Sequence, residues 1–194
     1  MNAQGPILAL CGSLRHPSRT RQALERALAA AARLGAATEL LAGEPLRLPL
    51  CDGRPEAEIP PAVAELRHRA RAAAALLLGS PEYCGTYSAV IKNVVEWLGP
   101  SILQGKVVGV VTVAEGPSAQ GSLRALRELC LLEGAWVVPA AAAIPLVEQV
   151  FAQPSAPLAV SVLRHLDALG KALPGALRRL HGPSGRPPAE GLPA

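Results

Sequence analysis

The chain has 194 residues, half of them apolar, 3% aromatic, with a formal net charge of +4. That length suits one hydrophobic core, and no apolar run reaches the roughly 20 residues that a bilayer span needs. Basic residues are dispersed with few aromatics beside them, which argues against a nucleic-acid surface, and Cys11, Cys51, Cys84 and Cys130 form neither a CxxC pair nor a zinc-ligand spacing.

Pro6 to Cys11 is a short apolar run ending at Gly12, the pattern of a strand buried on both faces. From Arg19, the apolar residues Ala23, Leu24, Ala27, Leu28, Ala31 and Leu34 recur at helical steps, and Gly35 stops them. A weaker strand is expected over Ala37 to Leu41, then a long Pro- and Gly-containing connection from Gly43 to Pro61. A helix over Pro61 to Arg71 leads into a buried strand, Ala73 to Gly79, closed by Ser80-Pro81. Tyr87, Val90, Ile91, Val94, Val95 and Leu98 make one apolar helical stripe. Lys106 to Val113 is rich in β-branched residues and reads as a strand. A helix near Ala119 to Glu133, a last strand near Ala135 to Val138 and a final helix over about Ser155 to Leu173 complete the expected elements.

This alternation implies an α/β fold of three layers, with a parallel sheet between helices. A flavodoxin-like sandwich with five parallel strands in the order 2-1-3-4-5 fits the length. Ligands of such sheets bind beyond the carboxyl ends of the strands, so the loops after Cys11, Gly79 and Val113 are the candidate site. Residues 1–180 are expected to form a single domain, and 181–194, rich in Pro and Gly, a disordered tail.

The loop between the first strand and helix, Gly12-Ser13-Leu14-Arg15-His16-Pro17-Ser18-Arg19-Thr20, carries three hydroxyls and two guanidiniums at a helix N-terminus, the chemistry of an anion cradle. The plainer alternative is that Ser18 or Thr20 caps the helix while both arginines face water. The loop lacks the second glycine and the lysine of a Walker A motif, and the dinucleotide pattern GxGxxG is absent. Cys11 reads as a buried structural thiol, because Pro17 stands where a cysteine phosphatase would need arginine.

Two segments resemble the NADPH-dependent FMN reductase family, especially its alkanesulfonate-associated branch. The loop Gly12 to Thr20 resembles the family's GS-x-R-x-x-S phosphate loop. Ser80-Pro81-Glu82-Tyr83-Cys84-Gly85, followed by Ile91-Lys92-Asn93-Val94-Val95-Glu96-Trp97-Leu98, resembles its TPEYNG…LKNxxDWL segment. The resemblance spans roughly residues 6 to 140. It implies that Ser13, Arg15, Ser18 and Thr20 hold the phosphate of FMN. Pro81, Glu82, Tyr83, Cys84 and Gly85 would run beside the isoalloxazine ring, with Glu115 and Gly116 as a third contact.

Two departures stand out. Cys84 replaces a common Asn, and Val113-Ala114-Glu115-Gly116-Pro117-Ser118 replaces a Gly-Gly turn. A carboxylate at Glu115 beside the flavin would oppose an anionic reduced ring. The implied activity is hydride transfer from NADPH or NADH to bound FMN and on to free flavin, quinone or another small acceptor. Ring stacking and positioning carry that step, so neither a catalytic side chain nor a metal is expected. An electron carrier of flavodoxin type and a flavin-free relative are the alternatives. Further expectations are a homodimer or homotetramer, with Trp97 either a protomer contact or a core residue, no nucleic-acid or membrane partner, and a cytoplasmic location, since the first residues lack the pattern of a secretory signal.

Overall fold

The computed structural model of the protein describes residues 5–182. Its elements are β1 (Ile7–Cys11), α1 (Arg19–Ala32), β2 (Thr38–Leu41), α2 (Pro61–Ala72), β3 (Ala75–Tyr83), β4 (Thr86–Tyr87), α3 (Ala89–Leu98), α4 (Pro100–Leu103), β5 (Val107–Val113), α5 (Gln120–Leu132), β6 (Trp136–Val137), β7 (Ala142–Ile144), α6 (Val147–Ala152) and α7 (Pro157–His181). The sheet runs β2-β1-β3-β5-β6, with β4 added antiparallel to β3 and β7 added parallel to β5. This is the flavodoxin-like order 2-1-3-4-5, with its fifth position shared by two short strands and a hairpin strand added.

Side chains alternate across the three central strands, as the period of a strand requires. Ile7, Ala9, Cys11 and Leu77 join α1, α6 and α7 in one core, whereas Leu8, Leu10, Leu76 and Leu78 join α2, α3, α4 and α5 in the other. Helices α1 and α7 cross so closely that a Cβ on Gly170 would lie 2.1 Å from the carbonyl oxygen of Ala27. Only glycine fits there.

Register decides where the loops emerge. Cys11 pairs with Gly79, Gly79 with Val111, and Pro81 with Val113. The carboxyl ends of β1, β3 and β5 therefore lie side by side, and the three loops that follow them open onto one edge of the sheet.

Several elements differ from expectation, and Tyr87, expected in the stripe of α3, lies in β4. β3 does not stop at Ser80-Pro81 but continues to Tyr83 and turns back as β4. Gly79 directs its carbonyl to the Gly12 N–H (2.7 Å), so Pro81, two residues on, faces the same side beyond the end of β1. No ladder bond there needs its missing N–H. The last strand is broken: β6 pairs with the start of β5 and β7 with its end, with Pro139 in the gap. α6 was not anticipated. α7 continues through Pro174 to His181 because Leu169 and Leu173 are fully buried and Ala176, Leu177 and Leu180 still pack on the core. His181 and Gly182, placed by the sequence in the disordered tail, thus finish this helix, and residues 183–194 of that tail lie outside the described residues.

The long connection after β2 is tied down by the Asn93 and Trp97 side chains. Asn93 accepts from the Cys51 N–H (2.9 Å) and donates to the Pro49 carbonyl (3.0 Å), and the Trp97 indole donates to the same carbonyl (2.8 Å). Trp97 is buried, so of its two readings the core residue is the one found. Among the described residues no helix is long and apolar enough to cross a membrane.

Candidate functional site

The floor of the site is the β1–α1 loop. A Cβ on Gly12 would meet the Ser88 hydroxyl oxygen at 2.8 Å and the Gly79 carbonyl at 2.9 Å, so glycine lets the loop leave β1 against its neighbours. Ser88 donates to the Gly12 carbonyl (2.7 Å) and accepts from the Ile91 N–H (3.2 Å), capping α3 and anchoring the loop at once. Ser80 accepts from the Ser88 N–H (2.8 Å) and donates to the Pro81 carbonyl (2.8 Å). Both serines are buried. Sequence reasoning missed Ser88 because it began the stripe at Tyr87; with Tyr87 in β4, the serine stands directly ahead of the helix and is a capping signal.

Ser13, Ser18 and Thr20 are also buried. The Ser13 hydroxyl accepts from the Arg15 N–H (3.3 Å), and Ser18 caps α1 by accepting from the Arg21 N–H (3.2 Å). Among the described residues, neither the N–H groups of Arg19 and Thr20 nor the Thr20 hydroxyl has a hydrogen-bond partner. Capping and anion binding therefore coexist: one hydroxyl closes the helix while the first-turn donors stay available. Beneath them, burial raises the pKa of the Cys11 thiol, and the sulfur rests against Ser18. Both features are those of a structural thiol rather than a nucleophile.

The arginines of the loop do not simply face water. Arg15 Nη1 pairs with Glu115 Oε1 at 3.0 Å. Arg19 grips Glu148 through Nε (2.9 Å) and Nη2 (2.6 Å), and its guanidinium lies 5.9 Å from the Phe151 ring centroid. The Arg19 contact holds the Glu148 carboxyl below the usual carboxylate range.

The wall is the β3–β4 hairpin. Its two turn residues, Cys84 and Gly85, have φ of 51° and 79°, the paired left-handed conformations that favour Asn-Gly. A backbone requirement thus accounts for Asn as the residue Cys84 replaces. Tyr83 is exposed at the cavity. The Glu82 carboxylate accepts from the buried Ser122 hydroxyl (2.6 Å), bracing the hairpin on the first turn of α5.

The rim follows β5. Ala114 and Gly116 are tied to the segment after β7: Ala114 donates to the Ile144 carbonyl (2.8 Å), Val147 to Ala114 (3.0 Å) and Leu146 to Gly116 (2.9 Å). These ties bring Val147 and Glu148 to the site, which no local pattern announced.

Floor, wall and rim enclose a cavity of about 370 Å³, within the range of small-ligand sites. Every residue expected at the site lines it, together with His16, Pro17, Arg19, Val147 and Glu148. Among the described residues no cluster of His, Cys, Asp and Glu could hold a metal ion.

The family model of NADPH-dependent FMN reductases matches residues 6–149, which span β1 through the first half of α6. The chain belongs to that family. As a member it is an FMN-dependent NAD(P)H oxidoreductase, with FMN as cofactor and NAD(P)H as electron donor. No curated protein matches it in sequence. Among solved structures, an oxidoreductase from Corynebacterium diphtheriae is 20% identical, with 91% of this chain and 98% of that one covered and a TM-score of 0.70. FerB from Paracoccus denitrificans, a flavoenzyme NAD(P)H:(acceptor) oxidoreductase, is 22% identical over 90% of this chain and 98% of its own, with a TM-score of 0.71. The apo form of EMOB, an NADH:FMN oxidoreductase, is 19% identical over 87% and 89%, with a TM-score of 0.69. At these identities the likenesses establish the fold.

Proposed function

We propose that this reductase holds FMN in the cavity between the three loops and passes electrons from NAD(P)H to free flavin, a quinone or another small acceptor. The observation that carries the reading is the floor: buried hydroxyls of Ser13, Ser18 and Thr20 beside the N–H groups of Arg19 and Thr20, which have no partner among the described residues. Such a set satisfies a phosphate without needing a cation, because the N-terminus of α1 adds a partial positive charge. The donors fit the phosphate of FMN.

Ser13, Ser18 and Thr20 would bind that phosphate, with Arg15 as a charged partner. Pro81 to Gly85 would line the ring system, Tyr83 offering an aromatic surface and the turn residues their backbone groups. Glu115 and Gly116 would close the third side. Bound FMN supplies the two-electron carrier between nicotinamide and acceptor. The chain's share is to position the rings and to keep the hairpin in place through the Glu82–Ser122 bond, and no side-chain acid or base is assigned.

We further propose that residues 1–180 act as one domain, that the protein assembles as a homodimer or homotetramer, and that it works in the cytoplasm with no nucleic-acid or membrane partner. Steady-state oxidation of NADPH and NADH in the presence of FMN, riboflavin and a quinone tests the function. Turnover with a small acceptor alone is expected. Turnover that requires a protein partner would instead identify an electron carrier.

A further inference from the structure

Three carboxylates, Glu82, Glu115 and Glu148, line the cavity against two guanidiniums, Arg15 and Arg19. Both guanidiniums are already paired within the chain. A phosphate arriving at the floor meets neutral donors at once but finds no free guanidinium among the described residues that line the cavity. A guanidinium that is to serve it must share its charge with a carboxylate or leave that carboxylate.

The two pairs are not equivalent. Arg19 makes two hydrogen bonds to Glu148 and lies over Phe151, with a side chain 32% exposed. Arg15 makes a single contact to Glu115, and the two side chains are 66% and 73% exposed. Exposed single-contact pairs contribute little and exchange partners readily. Arg15 is therefore the guanidinium that can change partner, and Glu115 holds it when no phosphate is present. The raised pKa of Arg15, which comes first from Glu115 and less from Tyr83, agrees with that placement.

Resting on the reading of the cavity as an FMN site, we infer that Glu115 is a specificity-determining residue, an internal competitor with the flavin phosphate for Arg15. Riboflavin, which has no phosphate, leaves the Arg15–Glu115 pair intact. FMN must share Arg15 with Glu115 or take it from that carboxylate, since only Nη1 of the guanidinium is engaged. Glu115 thus narrows the preference for FMN over riboflavin, a role that the glycines of the family's usual turn cannot play.

The test is a double-mutant cycle read by quenching of flavin fluorescence, with FMN and riboflavin titrated separately into wild-type protein, Glu115→Gln, Arg15→Ala and the double variant. Both side chains are exposed, so folding is spared. Glu115→Gln is expected to tighten FMN about two- to fivefold more than riboflavin, the worth of an exposed ion pair. In the Arg15→Ala background the same substitution should have no effect. Equal tightening in both backgrounds would mean plain charge repulsion and would overturn the competition. Equal tightening of both flavins would mean that the phosphate is not what Glu115 competes with and would overturn it too, as would no change at all. If wild-type protein binds neither flavin, the FMN reading falls first and the inference falls with it.

Discussion

The loop after β1 and the loop after β5 enter one cavity but are held by different forces. Ser13, Ser18 and Thr20 are buried, and Gly12 is wedged between Ser88 and Gly79. Glu115 and Gly116, in contrast, are exposed, and a Cβ on Gly116 would meet nothing within 4 Å. Buried hydroxyls and close packing build the floor, whereas the rim is held by backbone bonds to the segment after β7 and presents exposed ion pairs to the cavity. A preformed floor decides which group can bind, and the exposed side chains of the rim adjust how tightly.

Thiol labelling should show the largest contrast between packed and open parts of the site. Cys84 is exposed at the hairpin tip and should react at once in native protein. Cys11 and Cys130 are buried, with thiol pKa values raised by desolvation, that of Cys130 to about 12. They should react only on global opening, several orders of magnitude more slowly. FMN should protect Cys84. Mass spectrometry of labelled peptides reads both effects, and fast labelling of Cys11 would show that the floor is not packed as described.

Substitutions in the two loops give the next largest difference. Gly12→Ala should lower stability by about 1–3 kcal/mol through overpacking, and Ser18→Ala by about 1 kcal/mol through loss of the α1 cap. Gly116→Ala should stay within about 0.5 kcal/mol of the parent, because it enters open space. Denaturant unfolding measures all three. Equal losses at Gly12 and Gly116 would erase the distinction between floor and rim. The smallest expected effect is the two- to fivefold gain for Glu115→Gln described above.

The floor could be read locally because its signals are contiguous: an apolar run, a glycine, hydroxyls and an amphipathic helix lie within residues 6–34. The rim could not. Arg15 and Glu115 stand 100 residues apart, and Arg19 and Glu148 stand 129 apart: the register of β1, β3 and β5 brings the first pair together, and the pairing of β7 with β5 and the backbone ties after it bring Glu148 to Arg19. Ser80-Pro81 looked like the end of a strand because local rules cannot tell which side of β3 a proline faces. Cys84-Gly85 concealed a hairpin because cysteine is not a usual residue for a left-handed turn position. The break at Pro139 similarly divided a single expected strand into β6 and β7.

The central claim is that the floor built by Ser13, Ser18 and Thr20 holds the phosphate of FMN. Its most direct test is the visible spectrum of the purified protein, mixed with FMN, passed through a desalting column and then treated anaerobically with NADPH. The account predicts flavin bands that travel with the protein and bleach on NADPH addition, and a marked loss of retained flavin in a Ser13→Ala, Thr20→Ala double variant. Protein that emerges without flavin, or a double variant that retains it as well as wild type, would contradict the claim.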